Sequence, residues 1–386
     1  MSQPRLVKTV RCTGTPYQIG LAHGRAVAAQ VHKNVATYTA FFDETVGLTW
    51  AEARARAVDQ FAGRLGRCYP AILEEMQGIA DGAGGGLTRD DVLTLNVRSE
   101  IALTNYTDGC TSLAQEVVGA DGRQVFLAQN WDWLEELHEG MVSFDIAPET
   151  APGNGVERFV FLGEAGIVGK IGMNSAGFGF CMNAIRSGAQ GTTDRHLPVH
   201  VLARRLLQYA TSLDAALAIL ETEFGAASCI NLMLADRSGQ HADVECSPYG
   251  HARIDPDPTK LADHGNASSR FVAHTNHLYG TAAQGRPARL VDHPADNSFA
   301  RLARMQALTR ADAAAGVPVS FASLHARLSD LEGAPYAICR SRPPGAVGME
   351  RMVTLCTILM ELTTGQGRVS IGRPCEPDIP VIEWRL

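Results

Sequence analysis

One cysteine in this sequence stands where a chain cut would make it reactive. Cys110 follows Gly109 and precedes two hydroxyl residues, Thr111 and Ser112. If the Gly109–Cys110 bond is broken, Cys110 carries a free α-amine beside its own thiol, with a reference pKa of about 7.7–8.0. Nucleophile and general base then sit on one residue, an arrangement suited to attack on amides. Gly109 has no Cβ and tolerates the strained backbone that would expose its carbonyl to the adjacent thiol. Asp108 before it favours a tight turn. The competing reading is an ordinary Asp-Gly turn that leads into a strand.

Three more residues have side chains that fit such chemistry. Asp132, in "QNWDW", lies on the return strand of a hairpin that starts at Cys110, so its carboxylate can hold an α-ammonium or orient the thiol; the alternative is a surface aspartate between two packing tryptophans. Asn276, in "HTNH", has an amide that can donate to an oxyanion. Arg351, in "GMERMVTL", can clamp a carboxylate or form a surface salt bridge. His274 and His277 are three apart, and on a strand such positions face opposite sides. With no acidic or thiol ligand to complete a motif, no metal is expected.

The elements that must position these residues change character near Cys110. Before residue 105 the pattern is helical: apolar residues recur at three- and four-residue steps from Ile19 to Tyr38, a second stretch follows Trp50, and a third begins at Pro70, a favoured first-turn position. "DGAGGG" stops that third helix, and Thr88 can cap the next. After residue 110 the pattern turns to strands. "TSLAQEVV" and "QVFLAQNW" flank "GADG" as a hairpin, and "RFVFLGE", "VGKIGMN" and "GFGFCMNAI" follow. Two helices divided near Ser212, a second hairpin through "CINLMLADRSGQHADVECS", the run "FVAHTNHL", two more helices and a closing pair of strands complete the chain. Strand runs and helix runs are segregated, so α+β with antiparallel sheets and outer helices is expected.

Composition narrows the function classes. The 386 residues carry a net charge of -7, which argues against a general nucleic-acid or anionic-membrane binder. The longest apolar run, "MVTLCTILMEL", is too short to span a bilayer, and the amino terminus lacks a signal-peptide core. Nine scattered cysteines without a CxxC pair suggest neither a zinc ribbon nor a disulfide framework. A cytoplasmic protein with neither nucleic-acid nor membrane partners is expected.

Taken in order, the motifs are specific. "GTPYQIGLAHG", "PAILEEMQGIADGAG", "LNVRSEIAL", "DGCTS", "AQNWDW", "EAGIVGKIGMNSAGFGFCMNA", "HTNH", "YAICR" and "SIGRP" resemble the acyl-CoA:6-aminopenicillanic acid acyltransferase family of N-terminal-nucleophile hydrolases, almost end to end. The resemblance implies an αββα sandwich and a precursor that cuts itself before Cys110. Residues 1–109 would then form a helical, tightly bound subunit and 110–386 the catalytic core. It implies that Asp132 supports the nucleophile, Asn276 forms the oxyanion hole and Arg351 is the active-site arginine. Asn183, Ser247 and Ser112 are substrate-binding candidates. Glu350 replaces a serine of the fungal members; paired with Arg351, it would weaken recognition of an anionic acceptor and favour a substrate with an ammonium group. A self-processing amide hydrolase or N-acyltransferase follows, acting on a small acylated amine or β-alanyl-type amide. Coenzyme A would enter only as an acyl donor, and no cofactor is implied. The alternatives are an uncut binding or structural protein, and a thioesterase on acyl-CoA.

Overall fold

In the computed structural model the described residues are 7–102, 109–120, 122–149, 153, 155–189, 195–223, 225–256 and 268–386. The turn expected at Asp108 lies outside them. Alternation of apolar residues draws two sheets together. In the eight-stranded sheet the order is β1 (Lys8–Gly14), β4 (Met141–Pro148), β5 (Phe159–Glu164), β6 (Ile171–Asn174), β7 (Phe178–Ala184), β8 (Ile230–Asp236), β9 (His241–Ser247) and β10 (Gly250–Ile254). In the six-stranded sheet it is β11 (Ser268–His274), β2 (Thr111–Gly119), β3 (Gly122–Leu134), β12 (Met352–Glu361), β13 (Gln366–Ile371) and β14 (Val381–Arg385). β1 and β4 run parallel; the other named pairs are antiparallel.

The hairpin read from sequence is β2–β3, with Gly119 opposite Gly122 and Gly122 at φ +101°, a value only glycine adopts readily. Its alternation sorts the two cores. Cys110, Ala114, Leu127 and Trp131 belong to the main core, where the sheets meet face to face. Leu113, Phe126 and Ala128 point the other way, into a second core. There they meet Leu302 and Met305 of α10 (Asp296–Ala314) and Leu324 and Leu328 of α11 (Phe321–Leu328). α8 (Val199–Tyr209) and α9 (Leu213–Thr222) cover the eight-stranded sheet from outside. The result is helix, sheet, sheet, helix: α+β in four layers, as the resemblance implies.

The segment before Cys110 is not all helix. β1 opens it, and α1 (Pro16–Ala26), α2 (Ala28–Val46), α3 (Trp50–Ala57), α4 (Gly63–Cys68), α5 (Pro70–Ala83), α6 (Arg89–Asn96) and α7 (Arg98–Ala102) follow. A break at Val27, φ -134°, divides α1 from α2. Pro70 starts α5, Thr88 caps α6 and Ser212 caps α9 as expected. α1 and α5 cross at backbone contact: a Cβ built on Gly20 would lie 1.9 Å from Glu75 O, and one on Gly78 2.2 Å from Tyr17 O. The run "MVTLCTILMEL" is mostly β12, buried along its length. No helix among the described residues is long and apolar enough to cross a membrane.

Candidate active site

Cys110 enters β2 as a buried residue, and its thiol faces the space between the sheets. The Sγ–H donates to the Asp132 main-chain oxygen at 3.8 Å, the weak bond expected of a thiol. The Asp132 carboxylate belongs elsewhere. Neighbours along β3 alternate in direction, and Trp131 and Trp133 point into the main core, so Asp132 points to the opposite face. A bulge in β12 between Thr354 and Cys356 sets Thr354 across from Asp132, and the Thr354 hydroxyl donates to Asp132 Oδ1 at 2.7 Å. Such irregularities re-aim a side chain near a site. Thr354 Oγ1 in turn accepts from Arg340 N at 2.9 Å.

Gly109 lies between that carboxylate and a guanidinium. A Cβ added there would fall 2.7 Å from Asp132 Oδ2 and 3.0 Å from Arg340 Nη1. Asp132 is therefore placed beside the backbone that enters Cys110, where an α-amine would emerge, rather than against the sulfur. The Cys110 carbonyl accepts a hydrogen bond from Arg301 of α10. Arg301 also donates to Thr111 Oγ1 at 3.0 Å and to Asn276 Oδ1 at 2.9 Å. Asn276 Nδ2 donates to Ala184 O at 2.9 Å, and Ala184 lines the cavity beside Cys110.

That cavity has a volume of about 30 Å³, with Trp131, Met182 and Ile230 on its apolar side and Arg98, Lys170 and His200 on its polar side. Lys170 Nζ lies 3.4 Å from the centroid of the Trp131 ring and 3.2 Å from Glu164 Oε1. Burial pulls the Lys170 ammonium down to about 8, against the opposing pull of Glu164. Glu164 also accepts from Arg98 Nη2 at 2.6 Å and the Tyr38 hydroxyl at 2.7 Å. Burial alone would raise the Glu164 carboxyl, but Arg98 and Lys170 hold it well below the usual carboxylate range. His200 is neutral, because burial and the cations Arg98 and Lys170 push it well below its ordinary value. Its Nδ1–H then donates to Gly169 O at 3.2 Å.

The remaining candidates do not all meet here. Ser112 Oγ donates to Asn183 Oδ1 at 2.6 Å, and Asn231 Nδ2 donates to the same oxygen at 3.1 Å. Ser112 and Asn183 thus join the two sheets behind Cys110. Ser247 Oγ donates to Gly250 O at 2.9 Å, holding the β9–β10 turn. Arg351 lies on the surface at the start of β12, paired with Glu44 at 2.9 Å and Glu136 at 3.1 Å. Its ion-pair partners are these two carboxylates, while Glu350 is exposed. Long-range neighbours, invisible in the local sequence, decided that exchange.

Around "HTNH" the structure corrects the reading twice. β11 ends at His274, so His277 is not on the strand, and the two rings stack with centroids 6.0 Å apart. Two acidic groups do join His274: Glu245 Oε1 at 3.0 Å and Asp243 Oδ2 at 3.7 Å, all buried. Both ring nitrogens are engaged, Nδ1 with Thr275 O at 2.8 Å and Nε2 with Glu245. Burial opposes the charge, but Asp243 and Glu245 raise His274 to about 9. The trio therefore fits an imidazolium held between two carboxylates.

Sequence reasoning passed over Arg98, Glu164, Lys170, His200, Arg301 and Arg340. One signal was present: Glu164 and Lys170 are the only charges in "VFLGEAGIVGKIGM", and charges inside so apolar a run must be paired if buried.

A family model described as "Acyl-coenzyme A:6-aminopenicillanic acid acyl-transferase" matches residues 118–376. The chain is 28% identical over 376 residues, 96% of its length and 94% of the other's, to the acyl-coenzyme A:6-aminopenicillanic-acid-acyltransferase 40 kDa form of Emericella nidulans. It is 25% identical over 236 residues to protein dcd1A of Dictyostelium discoideum, covering 55% of this chain and 52% of that one. Among solved structures, a mutant of the conjugated bile acid hydrolase from Clostridium perfringens is similar with a TM-score of 0.46 at 14% identity, covering 70% of this chain and 92% of that one. Penicillin V acylase from Agrobacterium tumefaciens gives 0.39 at 16%, with 71% and 86% covered.

Proposed function

Because this chain belongs to the acyl-coenzyme A:6-aminopenicillanic acid acyl-transferase family, an enzyme family of acyl transfer, we propose that it is a self-processing amide hydrolase or N-acyltransferase with Cys110 as nucleophile. The observation that carries this reading is the setting of the Gly109–Cys110 bond. Its thiol side faces the cavity between the sheets, and its backbone runs past the Asp132 carboxylate and the Arg340 guanidinium.

In processing, the Cys110 sulfur attacks the Gly109 carbonyl carbon, the carbon–nitrogen bond breaks and the thiol proton passes to the released nitrogen. Water then hydrolyses the thioester and leaves a Gly109 carboxylate. The new α-amine lies beside Asp132, which Thr354 holds in place. In turnover, that amine takes the thiol proton as sulfur attacks a substrate amide. Asn276 Nδ2 carries a second N–H besides the one on Ala184 O and gives it to the tetrahedral oxyanion. The acyl-enzyme passes to water or to an amine. Beside the sulfur the cavity has about 30 Å³, room for about one water. The cut segment remains as a bound subunit.

The substrate class to examine first is a small acylated amine, including β-alanyl amides. All nine cysteines are free thiols, in keeping with a reducing, cytoplasmic setting. Intact mass of fresh protein tests the reading. Wild type should split from 41.3 kDa into parts of roughly 12 and 30 kDa, in proportion to the residues before and from Cys110, while Cys110→Ala stays whole and inactive on an amide panel. Wild type that stays whole overturns it.

A further inference from the structure

The mechanism above does not use Lys170, a buried cation of the nucleophile's own cavity. Lys170 and Cys110 line the same cavity of about 30 Å³, room for about one water. The ammonium is fixed there from two sides, by Glu164 Oε1 at 3.2 Å and by the Trp131 ring at 3.4 Å. Arg98 directs Nε and Nη2 to Glu164 and Nη1 to Ser99 Oγ, and His200 is neutral. We propose that Lys170 is the charged partner of the Cys110 sulfur, a positioning residue that stabilises the thiolate before attack and again when the thioester releases it.

Two physical points support the assignment. Coulomb attraction between opposite charges strengthens as water is excluded, and both groups are buried. The attraction is also mutual. A negative sulfur at Cys110 helps to keep the Lys170 ammonium charged, so the ammonium favours the ionised sulfur by the same amount. Glu164 moderates this effect, because its carboxylate takes part of the Lys170 field while holding the side chain in place. The α-amine then deprotonates a thiol whose anion is already stabilised.

The inference rests on Cys110 being the nucleophile, and its test can fail separately from that reading. The thiolate of Cys110 is followed by ultraviolet absorbance during a pH titration, as wild type minus Cys110→Ala. In Lys170→Met the curve should move to higher pH, so that the thiolate fraction at neutral pH falls about tenfold, the effect of one pKa unit; Lys170→Arg should keep the wild-type curve. A folded Lys170→Met protein with an unmoved curve overturns the proposal, even if its thermal stability drops, since a purely structural lysine predicts that result. If Lys170→Met does not fold, Lys170→Gln, which removes the charge but keeps a polar side chain, is titrated instead and should move the curve the same way; no movement overturns the proposal. Activity retained in Cys110→Ala would instead overturn the nucleophile reading.

Discussion

Gly109 has room for a hydrogen and little else. A methyl there would sit 2.7 Å from Asp132 Oδ2 and 3.0 Å from Arg340 Nη1, so either the bond shifts away from the carboxylate or the carboxylate leaves Thr354. Strain of about 1–3 kcal/mol corresponds to a rate loss of roughly five- to 160-fold. Gly109→Ala should therefore slow self-cleavage at least fivefold, read as uncut mass against time after synthesis; cutting at the wild-type rate would remove Gly109 and Asp132 from the account of processing. At this scale the sequence was legible where the hairpin itself brings residues together, as Asp132 returns on β3 beside Cys110. It was silent about neighbours that arrive from afar. Arg301 comes from α10, Arg98 from α7 and Arg340 from a loop; Arg98 and Arg340 stand inside "LNVRSEIAL" and "YAICR", but nothing there says what they meet. Arg351 carried a motif but found Glu44 and Glu136 first.

Helices α1 and α5 show what a small residue does for an element. Gly20 and Gly78 let the two backbones touch, and a Cβ at Gly78 would meet Tyr17 O at 2.2 Å. Gly78→Ala gains helix propensity of about 1 kcal/mol but must force two backbones apart, which costs more. A net loss of about 2–4 kcal/mol is expected in urea unfolding, and an unchanged midpoint would mean that α1 is not packed as described. Elements with strong periodicity or clear caps were legible: α5 from Pro70, α9 from Ser212 and the β2–β3 hairpin. β1, β4, β10 and β14 were not anticipated. β10 and β14 have five residues each, too short for a reliable alternation, and β1, with three of its seven residues buried or half-buried, looks like a polar leader until β4 arrives to pair with it.

Across the whole molecule, the segment before Cys110 is built into the rest. β1 pairs with β4, Arg98 binds Glu164, and the Glu100 carboxylate accepts from Val199 N at 2.9 Å and from Ser228 Oγ at 3.0 Å. Cutting one peptide bond leaves all of these in place, so the two parts should co-elute in size exclusion and separate only in denaturant. Release of the smaller part under native conditions would contradict that. The parallel β1–β4 pair also sets an order of events during biosynthesis. Lys8 must wait for Val142, so β1 leaves the ribosome with no partner until the middle of the chain has followed it. A gene that began at Cys110 would encode every strand except that one, and β4 would reach the cell as a bare edge, an open template for aggregation. Making the two pieces separately is thus not equivalent to making one chain that is cut after it has folded.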